Sequence, residues 1–245
     1  MAQQLEQTKI KKTQRRKPSN RKIWTPIPHI PRKSPRTRQT GKAALKLPRT
    51  QPEIVKLKIS TERFLKTLHQ LKIEYAMIGG IPAGFYGEPR FTQDLDFTAD
   101  PKEIIKNFPE LIQELEQNNI MLTSSRPTIK ELEKTTSLRF IDLRNKVIID
   151  LVIHPKGFSW DTEILQRRRK EGLLTTKMKI WCIAVEDLIL MKIANSAQQD
   201  LIDIEKIISK NFKRIDWKYL RRRAKKFKLN RKVEEIYHRY NAAIK

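Results

Sequence analysis

Two aspartates stand one residue apart in DLDFTA, where alternating apolar and acidic positions predict a β-strand. Residues two apart on a strand point to the same face, so Asp94 and Asp96 project together while Leu95 and Phe97 face the core. Two like charges held so close beside an apolar core are unfavourable unless a cation neutralises them. Carboxylate oxygens suit Mg²⁺ or Mn²⁺, so the spacing predicts a divalent-metal site.

A third aspartate repeats this pattern in KVIIDLVIH. The apolar residues at positions 147, 149, 151 and 153 take one face of a predicted strand, which leaves Asp150 between Ile148 and Val152 on the other. A single aspartate of this kind is usually a surface or strand-end residue. Three together favour metal binding, and we predict that Asp94, Asp96 and Asp150 are both metal ligands and catalytic residues.

Glycines cluster directly after the predicted strand EYAMI, where four of the seven lie within nine residues: Gly79, Gly80, Gly84 and Gly87. Such clustering implies a backbone that bends tightly or approaches a ligand closely. The segment matches neither a P-loop nor the dinucleotide fingerprint. A tight strand-to-helix turn without a ligand and a phosphate-binding turn are therefore both open alternatives.

Periodicity and cap residues predict the elements that position these groups. The first is a helix after a Ser60/Thr61 cap, followed by strands at EYAMI and DLDFTA. The next helix has Asp100 as its cap, Pro101 in its first turn and Glu103 as capping-box partner, and it is broken or restarted at Pro109. The remaining elements are a short strand at 120–123, a helix at 129–133, a hairpin of SLRFIDLR with KVIIDLVIH around Asn145, a helix at 160–170 and one or two strands at 173–183. From Val185 onward the chain is predicted to be helical, with an apolar stripe at Trp217, Leu220, Ala224 and Phe227.

Charge divides the chain into three parts. Residues 1–50 carry fifteen Lys and Arg against Glu6, a net +14, and residues 206–245 carry fifteen against three acids, a net +12. The total is +25, so the middle of the chain is near neutral at −1. We predict a basic, Pro-rich tail over 1–53, a core over 54–183 and a helical C-terminal region over 184–245. Two basic ends are typical of a polyanion partner such as RNA or DNA, the alternative being that excess lysine only maintains solubility.

Composition excludes several other classes of protein. No apolar stretch is long enough to cross a bilayer and the first residues lack a secretory signal, so we expect a soluble, cytoplasmic protein without a membrane partner. Cys182 is the only cysteine, which excludes an intrachain disulfide or a thiolate metal cluster. The four histidines lie far apart, without the spacing of a local zinc motif.

The order of these motifs resembles the DNA polymerase beta superfamily of nucleotidyltransferases. IGG is followed after thirteen residues by DLD and later by IIDLV, as in the superfamily's Gly-Gly/Ser, Asp-x-Asp and single Asp. GEPRFTQDLDF and VEDLILMKIANSAQQDLIDIEKI are similar to the branch that contains the AbiEii-type toxin nucleotidyltransferases, so the resemblance covers about residues 60–210. It implies an α+β fold with a nucleotidyltransferase-type mixed sheet flanked by helices, a small C-terminal helical region and a disordered basic tail in front.

The resemblance also implies roles for single residues. Asp94 and Asp96 would bind two metal ions, and Asp150 would lie nearest the attacking hydroxyl as the candidate base. Asp200 and Asp203 would support the helical side of the cleft. Five residues would bind the nucleotide, the glycines and the two cations at its phosphates: Gly79, Gly80, Arg90, Thr92 and Lys192.

These features predict an Mg²⁺-dependent or Mn²⁺-dependent enzyme that moves an NMP from an NTP to an acceptor hydroxyl on RNA such as tRNA, as a toxin with a cognate antitoxin. Six basic residues would form the C-terminal RNA-binding surface: Arg221, Arg222, Arg223, Lys225, Lys226 and Lys228. One departure bears on triphosphate affinity and activity, because relatives often carry an arginine where this chain has Ala197. Two alternatives stay open: a catalytically weak or inactive protein of this fold that acts as an RNA-binding component of a ribonucleoprotein such as a ribosome, and transfer to a small molecule or a protein side chain.

Overall fold

The computed structural model of the protein describes residues 51–155, 161–175 and 177–244. The predicted tail therefore lies, up to residue 50, outside the described residues. Its predicted end at residue 53 falls inside the first helix, α1 (Gln51–Gln70). In the described part of the chain, no helix is both long and apolar enough to cross a membrane.

The described residues form one mixed sheet of seven strands. These are β1 (Tyr75–Ile78), β2 (Asp94–Ala99), β3 (Ile120–Leu122), β4 (Ser137–Asp142), β5 (Val147–Val152), β6 (Arg169–Glu171) and β7 (Ile180–Cys182). Their order is β3-β4-β5-β2-β1-β7-β6, with β2–β5 and β1–β7 parallel and the other pairs antiparallel. The predicted α+β fold with a mixed sheet is confirmed. However, β6 lies before the predicted strand range of 173–183, and it begins inside the range of 160–170 that was predicted to be helical.

Helices flank this sheet and make up the C-terminal region. After α1 they are α2 (Gly80–Tyr86), α3 (Pro101–Lys106), α4 (Phe108–Gln117), α5 (Ile129–Leu132), α6 (Glu163–Gln166), α7 (Val185–Asn195), α8 (Gln198–Asn211), α9 (Trp217–Lys226) and α10 (Asn230–Ile244). Asp100 caps α3 as predicted, accepting a hydrogen bond from the backbone N–H of Lys102 at 2.9 Å. The predicted capping box is wrong: the Glu103 carboxylate accepts from the side-chain amide of Asn107 at 3.4 Å, and not from the backbone N–H of Asp100.

The predicted helix start at Ser60 and Thr61 is also wrong, since both residues lie buried in the middle of α1. The physical reason is a distant partner: the Ser60 hydroxyl donates to the carboxylate of Asp142, on β4, at 2.5 Å. Arg63 donates to the same carboxylate, which is itself fully buried. The hydroxyl and the acid therefore satisfy each other inside the fold, and α1 continues through them.

Two hydrophobic clusters hold the elements together. In the first, Phe64 of α1 packs against Phe97 of β2 and Phe140 of β4, with ring centroids 5.0 and 6.1 Å apart. In the second, α7, α8, α9 and α10 pack through side chains such as Ile189 and Leu220, which are fully buried. One face of β2, β4 and β5 is thus fixed by α1 and α4, and the opposite face is left to carry polar groups.

Candidate active site

Asp94, Asp96 and Asp150 come together on neighbouring strands. β2 and β5 run parallel with Asp96 directly opposite Asp150, and Asp94 stands two residues earlier on the same face of β2. Each can offer a carboxylate oxygen such that all three oxygens lie within 4.8 Å of one another. Leu95 and Phe97 point the other way and are fully buried, as the alternation predicted.

Electrostatic strain in this cluster is concentrated on Asp96. Burial raises the pKa of its carboxyl, and the charges of Asp94 and Asp150 raise it further, to about 7. The backbone N–H of Gly80 donates to this carboxyl and lowers the pKa in part, as does the positive charge of Lys192. The negative charge of the three carboxylates is therefore only partly balanced by the positively charged and N–H groups around them.

The glycine cluster forms a tight turn between β1 and α2, pressed against the acids. Gly79 has φ of 74°, and a Cβ there would lie 1.9 Å from Asp96 Oδ2. Only glycine meets both demands. A Cβ on Gly80 would come within 3.1 Å of Thr92 Oγ1 and 3.0 Å of Arg90 Nη2. The turn is therefore tight, and its backbone reaches the polar site. This geometry is compatible with both alternatives, a turn without a ligand and a phosphate-binding turn.

Thr92 and Arg90 lie in the loop between α2 and β2 and point into the site. The Thr92 hydroxyl donates to Asp94. The guanidinium of Arg90 forms a two-pronged ion pair with Asp203 of α8, through Nε at 3.0 Å and Nη2 at 3.1 Å. The loop is therefore joined both to the acid cluster and to the C-terminal helices.

Lys192 of α7 binds the same acid as Arg90. Its ammonium donates to Asp203 at 2.7 Å and to Asp200 at 2.9 Å, and the side chain is buried. Although burial acts to raise it, the pKa of Asp203 is lowered, by the hydrogen bond and charge of Lys192 and by the bond from Arg90. Asp200 and Asp203 thus hold the two cations proposed for the phosphates, on the helical side of the cleft.

Sequence reasoning missed Arg139, which stands opposite Asp150 in the antiparallel pairing of β4 with β5. Its Nε and Nη2 each donate to one oxygen of Asp150 at 2.8 Å, while 61% of the arginine side chain stays exposed. The hairpin around Asn145 could have identified it, because the same register pairs Asp142 with Val147 at the turn.

The predicted C-terminal basic surface is wrong at Arg223, which is fully buried. Its guanidinium donates to Asp187 at 3.3 Å, Asp161 at 2.5 Å and Glu163 at 3.1 Å. A guanidinium enclosed by three carboxylates is not accessible to a phosphate.

The other five predicted residues of that surface lie outside the buried core, but three of them have acidic partners. Arg221 pairs with Glu234, Arg222 with Glu163, and Lys226 with Asp161. Lys225 and Lys228 are exposed, and within the described residues no carboxylate lies at ion-pair distance from either.

Comparison with known proteins places the chain in a class. A family model described as "Nucleotidyltransferase of unknown function (DUF6036)" matches residues 56–245. The predicted nucleotidyltransferase superfamily is confirmed, and the protein is a nucleotidyltransferase by class. More particularly, the chain belongs to the DUF6036 family. No curated protein matches it.

Several solved structures are similar to the chain. The lincosamide antibiotic adenylyltransferase LnuA with lincomycin bound is 16% identical over 63% of this chain and 96% of its own, with a TM-score of 0.44. The solution structure of the antibiotic-resistance factor ANT(2″)-Ia is 10% identical over 78% of this chain and 98% of its own, with a TM-score of 0.46. An antigenic nucleotidyltransferase-like protein from Paracoccidioides brasiliensis is 19% identical over 68% and 77%, with a TM-score of 0.40.

Proposed function

We propose that the protein transfers an NMP from an NTP to a hydroxyl of an RNA acceptor and requires Mg²⁺ or Mn²⁺ to do so. One observation carries this proposal: the oxygens of Asp94, Asp96 and Asp150 lie within 4.8 Å of one another. Three carboxylates are the hard oxygen donors that these ions prefer. The raised pKa of Asp96, to about 7, reflects an excess of negative charge that a divalent ion would offset. The three acids therefore fit the metal, and they would hold it.

When bound, the metal would favour deprotonation of the attacking hydroxyl and stabilise the pyrophosphate that leaves. The chain's own groups act around that step. Asp150 accepts the proton of the acceptor hydroxyl, with both its oxygens oriented by the guanidinium of Arg139. The backbone at Gly79 and Gly80 binds phosphate oxygens of the NTP. Arg90 and Lys192 offset the negative charge of the NTP phosphates. The Thr92 hydroxyl fixes the orientation of Asp94.

A double substitution tests the metal assignment. Asp94→Asn with Asp96→Asn keeps the shape of both side chains and removes both charges, so transfer of labelled nucleotide to total RNA in Mg²⁺ should fall about a thousandfold or more. Asp100→Asn, just beyond the other end of β2, is the matched control, because asparagine also caps a helix. Its transfer rate should equal that of the wild type. Undiminished transfer by the double variant would refute the proposal.

The RNA partner is supported by exposed cations of the C-terminal region. Seven exposed basic residues have no ion-pair partner among the described residues: Lys210, Lys213, Arg214, Lys218, Lys225, Lys228 and Lys232. The logarithm of the binding constant falls linearly with the logarithm of salt concentration, with a slope of about 0.9 per phosphate contact on B-form DNA and about 0.7 on single strands. Lys225→Gln with Lys228→Gln should therefore reduce the slope by about 1.5 on a single-stranded RNA. Arg222→Gln with Lys226→Gln, whose cations already have acidic partners, should change it less, and equal changes would contradict this assignment.

A toxin role extends the same proposal to the AbiEii-type branch. The motif residues of that resemblance, Arg90, Lys192, Asp200 and Asp203, converge in one network, which supports it. Expression of the wild type should then arrest growth, and expression of the Asp94→Asn/Asp96→Asn variant should not. A co-expressed protein that restores growth by binding the wild type would be the antitoxin. Equal growth with both forms would remove the toxin role and leave the transferase proposal intact.

A second candidate function is RNA binding without transfer, as a component of a ribonucleoprotein. One observation favours it: the cations that would meet the nucleotide, Arg90 and Lys192, are both held by Asp203. Association with ribosomes or another large RNA, together with no turnover of any NTP, would select this function. Turnover of an NTP in Mg²⁺ by the wild type but not by the double variant would select the transferase.

A further inference from the structure

The sheet face that carries the acids continues beyond them across β5, β4 and β3. Cross-strand partners stand on the same face of a sheet, so the pairing register defines rows that run from strand to strand. One row is Asp96, Asp150 and Arg139. The next row is Asp94, Ile148, Ile141 and Met121. We call the last three residues the aliphatic row; it starts at the acids and ends on β3, at the edge of the sheet.

The aliphatic row lies on the face of these strands that is turned away from the first hydrophobic cluster. On the opposite face, Leu138, Phe140 and Leu151 are buried in the first hydrophobic cluster. Ile148, Ile141 and Met121 are only half-buried and belong to neither hydrophobic cluster of the described residues. Apolar side chains that join a polar site and remain outside both cores are a surface on which a ligand can lose water.

The proposed nucleotide groups lie on the other side of the acids. Gly79 and Gly80 follow β1, which flanks β2 on the side away from β5. Arg90 and Lys192 are fixed to Asp203 of α8, which packs on α2. The NTP and the aliphatic row therefore occupy opposite sides of the acid cluster, and the row adjoins Asp150, the acid assigned to the acceptor hydroxyl.

Arg139 gives this surface a positive charge. Arg139 and Asp150 are the two charged residues of β3, β4 and β5 on this face, and 61% of the Arg139 side chain is exposed. Nε and Nη2 hold Asp150. Within the described part of the chain, nothing accepts a hydrogen bond from Nη1, so this edge of the guanidinium can donate to a phosphate.

We propose that the aliphatic row with Arg139 is the acceptor subsite, and that it holds the terminal nucleoside of an RNA. This inference rests on the proposed function. The base and ribose lie across Ile148, Ile141 and Met121, and the adjoining phosphodiester receives Nη1 of Arg139. Three neighbouring strands span about 10 Å, which accommodates one nucleoside. A cation beside an apolar strip, two residues from Ile141 on β4, matches a nucleoside phosphate better than an uncharged small molecule.

The test compares Michaelis constants for the two substrates. Ile141→Asn with Met121→Gln makes the outer part of the row polar and keeps the acids, Arg139 and the nucleotide groups. Because the polar side chains remove apolar contact with the base, the KM for a single-stranded RNA acceptor should rise about tenfold or more. The KM for the NTP and kcat at saturating RNA should not change. Leu143→Asn, on the turn of the same hairpin and 44% exposed, is the matched control and should alter neither constant.

Three outcomes count against the inference. An unchanged KM for RNA in the double variant overturns it. A rise in the KM for the NTP overturns it as well, because the row would then belong to the nucleotide. A KM that rises only for small hydroxyl compounds assigns the row to a small-molecule acceptor and overturns the choice of RNA.

Hydrogen exchange separates this inference from the proposed function. A wild type that transfers nothing to any acceptor would defeat the proposed function, not the subsite. In that case the subsite is tested by the hydrogen-exchange rates of the backbone amides of β3 and β4. An RNA oligonucleotide should slow this exchange in the wild type and slow it less in Ile141→Asn/Met121→Gln. Equal protection in both proteins, or protection in neither, would overturn the subsite independently of catalysis.

Discussion

Acidic side chains are clustered in two regions of this protein, and the regions neutralise them differently. On the sheet, Asp94, Asp96 and Asp150 bring three carboxylates within 4.8 Å of one another. Between α7 and α9, Asp187 is fully buried yet accepts hydrogen bonds from the Tyr219 hydroxyl at 2.9 Å and from Arg223. We call the second group, Asp187 with Tyr219, Arg223 and their acidic neighbours, the ionic cluster.

The pKa values of the two buried acids reflect this difference. Burial raises the pKa of both carboxyls above the ordinary value. At Asp96 the neighbouring acids add to the effect of burial, and the pKa reaches about 7. At Asp187 the charge of Arg223 and the Tyr219 hydrogen bond offset part of it, and the pKa reaches about 6. The first acid is compensated only in part by the charge of Lys192, whereas the second has Arg223 in direct contact with it.

This difference distinguishes a functional site from a structural one. Acids neutralised by the chain's own cations join elements, as Asp187 and Arg223 join α7 to α9. Where several acids lie close together and nearby cations do not balance their charge, the site needs a counter-charge from outside the chain, such as a metal ion. The two regions should therefore respond differently to loss of a charge and to Mg²⁺.

The largest effect is expected from Arg223→Met. Removing the guanidinium leaves Asp187 buried without its counter-charge, which should lower the free energy of unfolding by about 3–5 kcal/mol. Urea denaturation monitored by tryptophan fluorescence measures this. Arg222→Met is the matched control on the same helix, since its side chain is 58% exposed and should cost less than about 1 kcal/mol. Equal stability of the two variants would mean that Asp187 needs no counter-charge.

A smaller effect is expected from pH. The pKa of Asp187 is about 6 in the folded protein, against an ordinary value of about 4. Between these values the folded state retains a proton that the unfolded state has lost, so stability falls as pH rises through this window. The stabilisation is complete below pH about 4 and absent above pH about 6, and it is on the order of 3 kcal/mol.

Asp187→Asn isolates this contribution from that of the other acids. The difference in unfolding free energy between wild type and variant should decline from pH 4 to pH 6 and then level off, as measured by urea titrations at each pH. A difference that rises with pH, or stays constant, would show that Arg223 keeps Asp187 ionised throughout.

The acid cluster could be predicted from the sequence because local patterns determine it. Alternation in DLDFTA and KVIIDLVIH assigned each aspartate to a face, and a sheet needs only parallel pairing of β2 with β5 to bring them together. The exact partner of Asp150 was missed, although the hairpin register around Asn145 contains it.

The ionic cluster could not be predicted in the same way. Arg223 follows Leu220 by three residues and precedes Phe227 by four, so helical periodicity places it in the apolar stripe. We predicted it instead on the basic surface opposite that stripe, where its charge would bind RNA phosphates. Its buried partner, Asp187, is 36 residues away in sequence, and no local pattern connects the two.

The smallest effect, and the sharpest contrast between the two regions, is expected from Mg²⁺. An ion that binds only the folded protein adds about 1 kcal/mol when its free concentration is about ten times Kd, which raises Tm by about 2–4 °C. EDTA should reverse the shift. Asp94→Asn/Asp96→Asn should lose it, because the remaining acid, Asp150, is paired with Arg139. Asp187→Asn should keep it in full, although it removes a more deeply buried carboxylate. A shift lost in both variants, or kept in both, would mean that Mg²⁺ does not distinguish the acid cluster from the ionic cluster.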